Sequence, residues 1–88
     1  MSDPVPIEPT VLAVLADVLG EPAADLRAQP VLAAHDWDSV ASLEVLAQLE
    51  SRLGVVLDLR SYHRVRTLDD LVRLVETVVM ATPTAGRL

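Results

Sequence analysis

Apolar residues recur every three or four positions in three long stretches of this chain, which is the spacing of one buried face of a helix. The stretches cover residues 9–19, 39–53 and 68–80. Gly20 and Gly54 directly follow the first two, as helix-ending glycines do. Pro9 fits the first position of the first helix, with Glu8 near its cap. The pattern therefore predicts three long helices.

Each predicted helix has one apolar face that we expect to lie in the core. In the first helix this face contains Val11, Leu12, Val14, Leu15, Val18 and Leu19. In the second it contains Leu43, Leu46, Leu49 and Leu53. In the last it contains Leu68, Leu71, Val72, Val75, Val78 and Val79. Packing has to hold the last helix in place, because valine is a mediocre helix former.

Shorter elements lie between the long helices. Asp58 is placed to cap a short helix over residues 59–64. Thr67, with Asp70 three residues later, makes a variant of the capping box at the start of the last helix.

The first two long helices are joined by a long connection, residues 21–38, and connections of that length are often functional. Residues 22–26 have the composition of a single helical turn. Three apolar side chains are expected to pin the connection to the core: Leu26, Val31 and Leu32.

Together these elements predict an all-α fold. We expect a four-helix bundle with three longer helices and one short helix, and a long loop between helices one and two. Residues 8–80 form the domain, residues 1–7 are expected to be a disordered arm, and residues 81–88 a flexible tail.

Composition narrows the classes of function. The chain has 88 residues and two aromatic side chains, so it is one small domain with an aliphatic core. Its net charge of −6 argues against nucleic acid and anionic membranes as partners, and favours proteins with basic patches. It has no cysteine, no apolar run long enough to span a membrane and no secretory leader pattern. We expect a cytoplasmic monomer.

The sequence Asp36-Trp37-Asp38-Ser39-Val40 marks the place where the long connection turns into the second helix. A serine at that point exposes its hydroxyl on the first turn, beside unpaired N–H groups that favour an attached phosphate. Alternatively, Ser39 is only a helix cap, with Asp38 sharing that role. Asp36 and Asp38 also complement the helix dipole.

Catalysis and metal binding have little support in the sequence. His35 is the one potential base near Ser39, and Asp36 is the residue that would orient it. These three residues are neighbours in the chain, no nucleophile elbow is present and no second lobe exists to form a pocket, which excludes a hydrolase triad. His35 and His63 are too few for a metal site without a carboxylate cluster.

The order of these parts, with Asp38 and Ser39 at the start of the second long helix, resembles an acyl or peptidyl carrier protein. The resemblance covers residues 8–80. Members of that family usually carry Gly-x-Asp-Ser-Leu at this point. Here Asp38 and Ser39 match, Val40 keeps an apolar residue after the serine, and Asp36 replaces the glycine.

The resemblance implies that a phosphopantetheinyl transferase attaches 4'-phosphopantetheine from coenzyme A to Ser39, with Asp38 recognised by that enzyme. The arm then holds an acyl, aminoacyl or peptidyl group as a thioester, and the protein itself is not an enzyme. The implied partners are acyltransferases, adenylating enzymes and condensing enzymes. Tethering replaces repeated diffusive capture of the substrate.

The pathway is inferred from finer features. Ala41 and Ser42 stand where fatty-acid carriers often have acids, so a dedicated carrier fits better than a general one. All seven basic residues are arginine and both Phe and Asn are absent, which is typical of GC-rich bacterial genomes. We therefore expect a free-standing carrier of bacterial polyketide or nonribosomal-peptide metabolism. The alternatives are a D-alanyl-type or other aminoacyl carrier loaded by an adenylating enzyme, and an unmodified helical adaptor.

Helical geometry predicts the surface that partners would contact. It consists of Asp38, Val40, Ala41, Glu44 and Ala47, with Arg60 and Tyr62 of the short helix beside it.

Two further features near Ser39 have open interpretations. Trp37 is either a staple packed under the loop or a surface that faces the cargo. Three arginines form a basic patch that is either merely solvated or in contact with a partner or the phosphate of the arm: Arg60, Arg64 and Arg66.

Overall fold

A computed structural model describes residues 7–81. Its helices are α1 (Ile7–Leu19), α2 (Ala23–Ala28), α3 (Ser39–Leu53), α4 (Leu59–His63) and α5 (Leu68–Ala81), with one 3-10 turn at Leu32–Ala34. Among the described residues there is no β-strand, so the all-α prediction is confirmed. The predicted bundle gains a second short helix, α2, where a single turn was expected.

The predicted terminal segments fall largely outside the described residues, which exclude 1–6 and 82–88. Ile7, assigned to the arm, and Ala81, assigned to the tail, are both helical. Within residues 7–81, no helix combines the length and the apolar character needed to cross a membrane.

Helix α1 is the centre of the bundle, since it packs against α2, α3 and α5. Its residues Val11, Val14 and Leu15 are fully buried. The core is completed by side chains of every other element: Leu26, Leu32, Val45, Leu46, Leu49, Val55, Leu57, Tyr62, Val65, Leu68, Leu71 and Val75. This aliphatic core is what the composition predicted.

The helix ends follow the local signals in the sequence. Helix α1 ends at Gly20, which has a φ of 68°, a backbone conformation that glycine adopts without strain. At the start of α5, Asp70 N–H donates to Thr67 Oγ1 at 3.1 Å, and Thr67 N–H donates to Asp70 Oδ2 at 3.3 Å. The capping box is therefore confirmed.

The inward face of α3 differs from the prediction at one position. Leu43 was expected in the core but is 61% exposed, and Val45 is buried instead. Leu43 lies six residues before Leu49, which at 3.6 residues per turn is about 120° around the helix. The pattern of three- and four-residue steps holds from Leu46 to Leu53, and extending it back one turn to Leu43 was wrong.

The long connection is tied to the loop before α5. Leu32 N–H donates to the Arg66 carbonyl at 3.0 Å, and Leu68 N–H donates to the Pro30 carbonyl at 2.8 Å. Leu26 and Leu32 are buried as expected, but the Val31 side chain is exposed. Val31 takes part through its backbone, in an isolated antiparallel bridge.

Candidate functional site

Helix α3 starts with a side-chain cap from an acid. Asp38 has extended backbone angles, and its Oδ1 accepts a hydrogen bond from Ala41 N–H at 2.8 Å. Its carbonyl accepts from Ser42 N–H at 2.9 Å. The carboxylate thus satisfies one of the N–H groups that a helix start leaves unpaired, and its charge complements the dipole.

Ser39 is the first residue of α3 and is exposed. Its hydroxyl makes no hydrogen bond to any residue between 7 and 81, so the idea that Ser39 shares the cap is wrong. The result is an unengaged hydroxyl at the positive end of a helix of 15 residues.

The loop before Ser39 is held in an uncommon backbone conformation. Asp36 has a φ of 54°, in the left-handed region that glycine favours and that aspartate tolerates. This is the position at which the carrier pattern has glycine. Trp37 follows, half-buried, with its ring edge-on to Tyr62 at a centroid distance of 6.4 Å. The loop is therefore packed against α4.

Tyr62 joins the two helices from inside. It is 3% exposed, and its hydroxyl donates to the carbonyl of Ser42 at 2.6 Å. Burial raises the pKa of its phenol. The prediction that Tyr62 is part of an exposed partner surface is wrong, because its ring packs into the core and its hydroxyl is used within the fold.

Helix α4 has its own acid cap. Asp58 Oδ2 accepts from Ser61 N–H at 3.0 Å and from Ser61 Oγ at 2.9 Å. These bonds, with the nearby Arg64, lower the pKa of the Asp58 carboxyl. The predicted cap is confirmed, and it occupies the hydroxyl of Ser61.

A groove of about 450 Å³ opens between α3 and α4, with Ser39 and Trp37 among its lining residues. Leu43, Leu46 and Leu59 supply apolar surface to it. Leu43 and Leu59 are 61% and 53% exposed, so the groove is an apolar surface that the fold does not cover.

The rest of the predicted partner surface lies where helical geometry placed it. Val40 is 71% exposed, and Glu44 and Ala47 are exposed beside it, while Ala41 is half-buried. Arg60 is exposed on α4. Arg64 and Arg66 are also exposed, and among residues 7–81 neither forms an ion pair.

His35 is buried, and both of its ring nitrogens are engaged within the fold, so it is not placed to act as a base for Ser39. Its Nε2 is 2.6 Å from the Gln29 carbonyl and its Nδ1 is 2.7 Å from Glu21 Oε1. The bond to Gln29 and the bond to Glu21 raise the pKa of His35. In the hydrolase triad that the sequence argued against, Asp36 would have oriented this ring; the carboxylate that contacts it is that of Glu21. Within the described range, no group of three or more metal-binding side chains comes together.

With this geometry in view, the comparison with known families is decisive. A family model described as a phosphopantetheine attachment site matches residues 9–75. The chain belongs to this family. A comparison with curated proteins found no match.

Phosphopantetheine-attachment domains are carriers rather than enzymes. They bear a covalent 4'-phosphopantetheine group, and they interact with a phosphopantetheinyl transferase and with pathway enzymes. The resemblance to acyl and peptidyl carriers is therefore confirmed, and an unmodified adaptor is no longer favoured.

Sequence reasoning missed three contacts that shape the site. The His35–Glu21 pair joins residues 14 apart, and no spacing rule relates them. The Tyr62–Ser42 bond joins residues 20 apart. Glu50 Oε2 accepts from Leu57 N–H at 2.9 Å and fastens the loop before α4. The exposure of Leu43, by contrast, could have been predicted from the sequence, because Leu43 lies about 120° around the helix from the buried Leu49.

Proposed function

We propose that Ser39 carries the 4'-phosphopantetheine arm of this carrier domain. The observation that supports this assignment is an exposed hydroxyl on the first residue of α3, directly after the Asp38 cap, that bonds to no other residue in the described range 7–81. A phosphate attached there meets the free N–H groups and the positive end of the helix dipole. The residues present therefore fit the group.

The other serines of the described range fit less well. Ser61 donates its hydroxyl to Asp58. Ser42 is half-buried, with its carbonyl bonded to Tyr62. Ser51 is exposed but lies near the C-terminal end of α3, where the dipole disfavours a phosphate.

The chain contributes positioning and recognition. Asp38 fixes the first turn of α3 through its cap, and its charge marks the site for the transferase. Val40, Glu44 and Ala47 present a small apolar patch with an acid, which suits transient docking in which charge sets the encounter rate. When bound, the arm supplies a thiol that holds acyl or aminoacyl cargo as a thioester.

We further propose that the carrier acts in bacterial polyketide or nonribosomal-peptide metabolism, in the cytoplasm and as a monomer. Helix α3 has acids only at Glu44 and Glu50, which argues against the highly acidic surface of a general fatty-acid carrier. Acyltransferases, adenylating enzymes and condensing enzymes are the partners that this role requires. Loading assays with acyl and amino-acid donors would separate a polyketide carrier from an aminoacyl carrier.

The absence of cysteine makes the central proposal easy to test. The purified protein would be incubated with coenzyme A and a broad-specificity phosphopantetheinyl transferase, then treated with a thiol-reactive dye and weighed intact. We expect one added group and one labelled thiol per chain, and neither in Ser39→Ala. Labelling of the Ser39→Ala variant would disprove the site, and an unchanged wild-type mass would disprove the function.

A further inference from the structure

The buried histidine of the long connection is unusual in this molecule. Apart from Tyr62, His35 is the one buried polar side chain among the described residues, at 7% exposed. It is held between Gln29, which follows α2, and Glu21, which follows α1. One imidazole ring therefore ties together both ends of the segment that leads to α3.

The two partners of the ring determine its protonation. A backbone carbonyl accepts hydrogen bonds and cannot donate them, and an ionised carboxylate is likewise an acceptor only. With Glu21 ionised, the contacts at 2.6 and 2.7 Å are both hydrogen bonds only when both ring nitrogens donate, and only the imidazolium carries a proton on each. A neutral ring would leave one short contact between two acceptors.

In the clasp made by Glu21, His35 and Gln29, His35 lies four residues before the proposed attachment serine. Between them are Asp36 in its left-handed conformation, Trp37 and the capping Asp38. Ser39 has no side-chain bond of its own to the described chain. The position of its hydroxyl is thus set by α3 on one side and by this short tethered loop on the other.

We propose that protonated His35 is a positioning residue for the modification of Ser39, holding the loop so that Asp38 and Ser39 are presented at the start of α3. The inference rests on the proposed function. Loss of the ring proton breaks one of the two hydrogen bonds of the clasp and loosens the loop. Modification then slows because the reacting hydroxyl is less well placed.

The direction of the pH effect follows from the groups around the ring. The charges that act on His35 are those of Glu21 and, from α2, Asp25, and both favour the imidazolium. The pKa of His35 is raised above its unfolded value of 6.5. The clasp is therefore complete below that value and is lost as the pH rises through the folded pKa.

Glu21→Gln is the sharpest test, because the glutamine amide can accept from the imidazolium and can also donate to a neutral ring, so the clasp no longer depends on the ring proton. Glu76→Gln on exposed α5 makes the same substitution away from the clasp. Initial rates of pantetheine transfer would be divided by the wild-type rate at each pH from about 6 to about 9, which cancels the pH dependence of the transferase. We expect the Glu21→Gln ratio to be near one at about pH 6 and to rise to about three as the pH increases and the wild-type ring loses its proton. The Glu76→Gln ratio should stay constant.

A spectroscopic measurement tests the same inference without the transferase. In nitrogen-15 NMR spectra of the wild type at neutral pH, both ring nitrogens of His35 should carry protons. The amide signal of Ser39 and the indole signal of Trp37 should shift with the titration of His35, and Glu21→Gln should lower its midpoint. A titration midpoint of His35 at or below 6.5, or Ser39 and Trp37 signals that do not follow the titration, would overturn the inference.

The two proposals fail in different ways. If the wild type gains no arm under any condition, the proposed function is wrong. If the wild type is modified normally but the Glu21→Gln ratio is the same at every pH, Ser39 remains the site and His35 is not a positioning residue.

Discussion

Helices α3 and α4 begin with the same pair of residue types, an aspartate cap and a nearby serine, but with opposite results. At α4, Asp58 accepts from both the N–H and the hydroxyl of Ser61. At α3, Asp38 accepts from Ala41 N–H, and Ser39 keeps a hydroxyl without a partner among the described residues.

The difference comes from the position of the serine relative to the cap. Ser61 is three residues after Asp58, where its hydroxyl and its N–H both reach the carboxylate. Ser39 is next to Asp38, where neither does. At the start of α4 the serine hydroxyl is used in the cap. At the start of α3 the serine hydroxyl is accessible and can be modified, as we propose. Tyr62 joins the two through its bond to Ser42.

The largest expected effect comes from removing each serine hydroxyl in turn. Ser39→Ala should lose all thiol labelling while its Tm stays within about 1 °C of the wild type, since no bond is removed. Ser61→Ala should be labelled at the normal rate but melt about 3 °C lower, because the bond to Asp58 is lost. Labelling assays and thermal denaturation would measure both. Loss of labelling in Ser61→Ala would contradict the claim that the two serine hydroxyls have different roles.

Removing the charge of each capping aspartate should affect pantetheine transfer at α3 but not at α4. Asparagine is as good a cap as aspartate, so Asp38→Asn should keep stability within about 0.5 kcal/mol. Its kcat/KM for pantetheine transfer should fall about tenfold, because the charge that we propose the transferase recognises is gone. Asp58→Asn should not change that rate. If both variants were modified like the wild type, Asp38 would be a cap and nothing more.

Trp37 should matter more for stability than for modification. Its half-buried ring packs on Tyr62, so Trp37→Ala should lose about 2 kcal/mol in urea denaturation, while the transfer rate well below the Tm changes less than about threefold. Val56→Ala is the matched control, since Val56 is an exposed apolar residue outside the groove. A Trp37→Ala protein that unfolds like its parent but is modified poorly would make Trp37 a recognition residue.

The smallest effect is expected on the outer face of α3. Glu44→Arg should slow transfer about threefold at low salt, with the difference disappearing at high salt because charges on the surface are screened. Glu76→Arg on α5 makes the same charge change away from this face. Equal rates for the two variants at low salt would count against docking through Glu44.

The sequence predicted the parts of the fold that depend on local chemistry. The caps at Asp58 and Thr67 and the stop at Gly20 were readable because each signal acts within a few residues. Helix α3 was predicted at its observed bounds for the same reason.

What the sequence did not predict depends on contacts between distant segments. Tyr62 was expected on the surface beside Arg60, but its side chain is buried and its hydroxyl donates to the carbonyl of Ser42, 20 residues earlier in the chain. His35 was paired with its neighbour Asp36, whereas its partner is Glu21. Leu43 turned out to line the groove because the core takes up a narrower face of α3 than the leucine pattern indicated.

The most direct test of the account is to locate the arm by tandem mass spectrometry of the wild-type protein after reaction with coenzyme A and the transferase. The account predicts that every modified peptide carries the group on Ser39, whose hydroxyl has no hydrogen-bond partner among residues 7–81. A group found on Ser42, Ser51 or Ser61, or on any threonine, would contradict it.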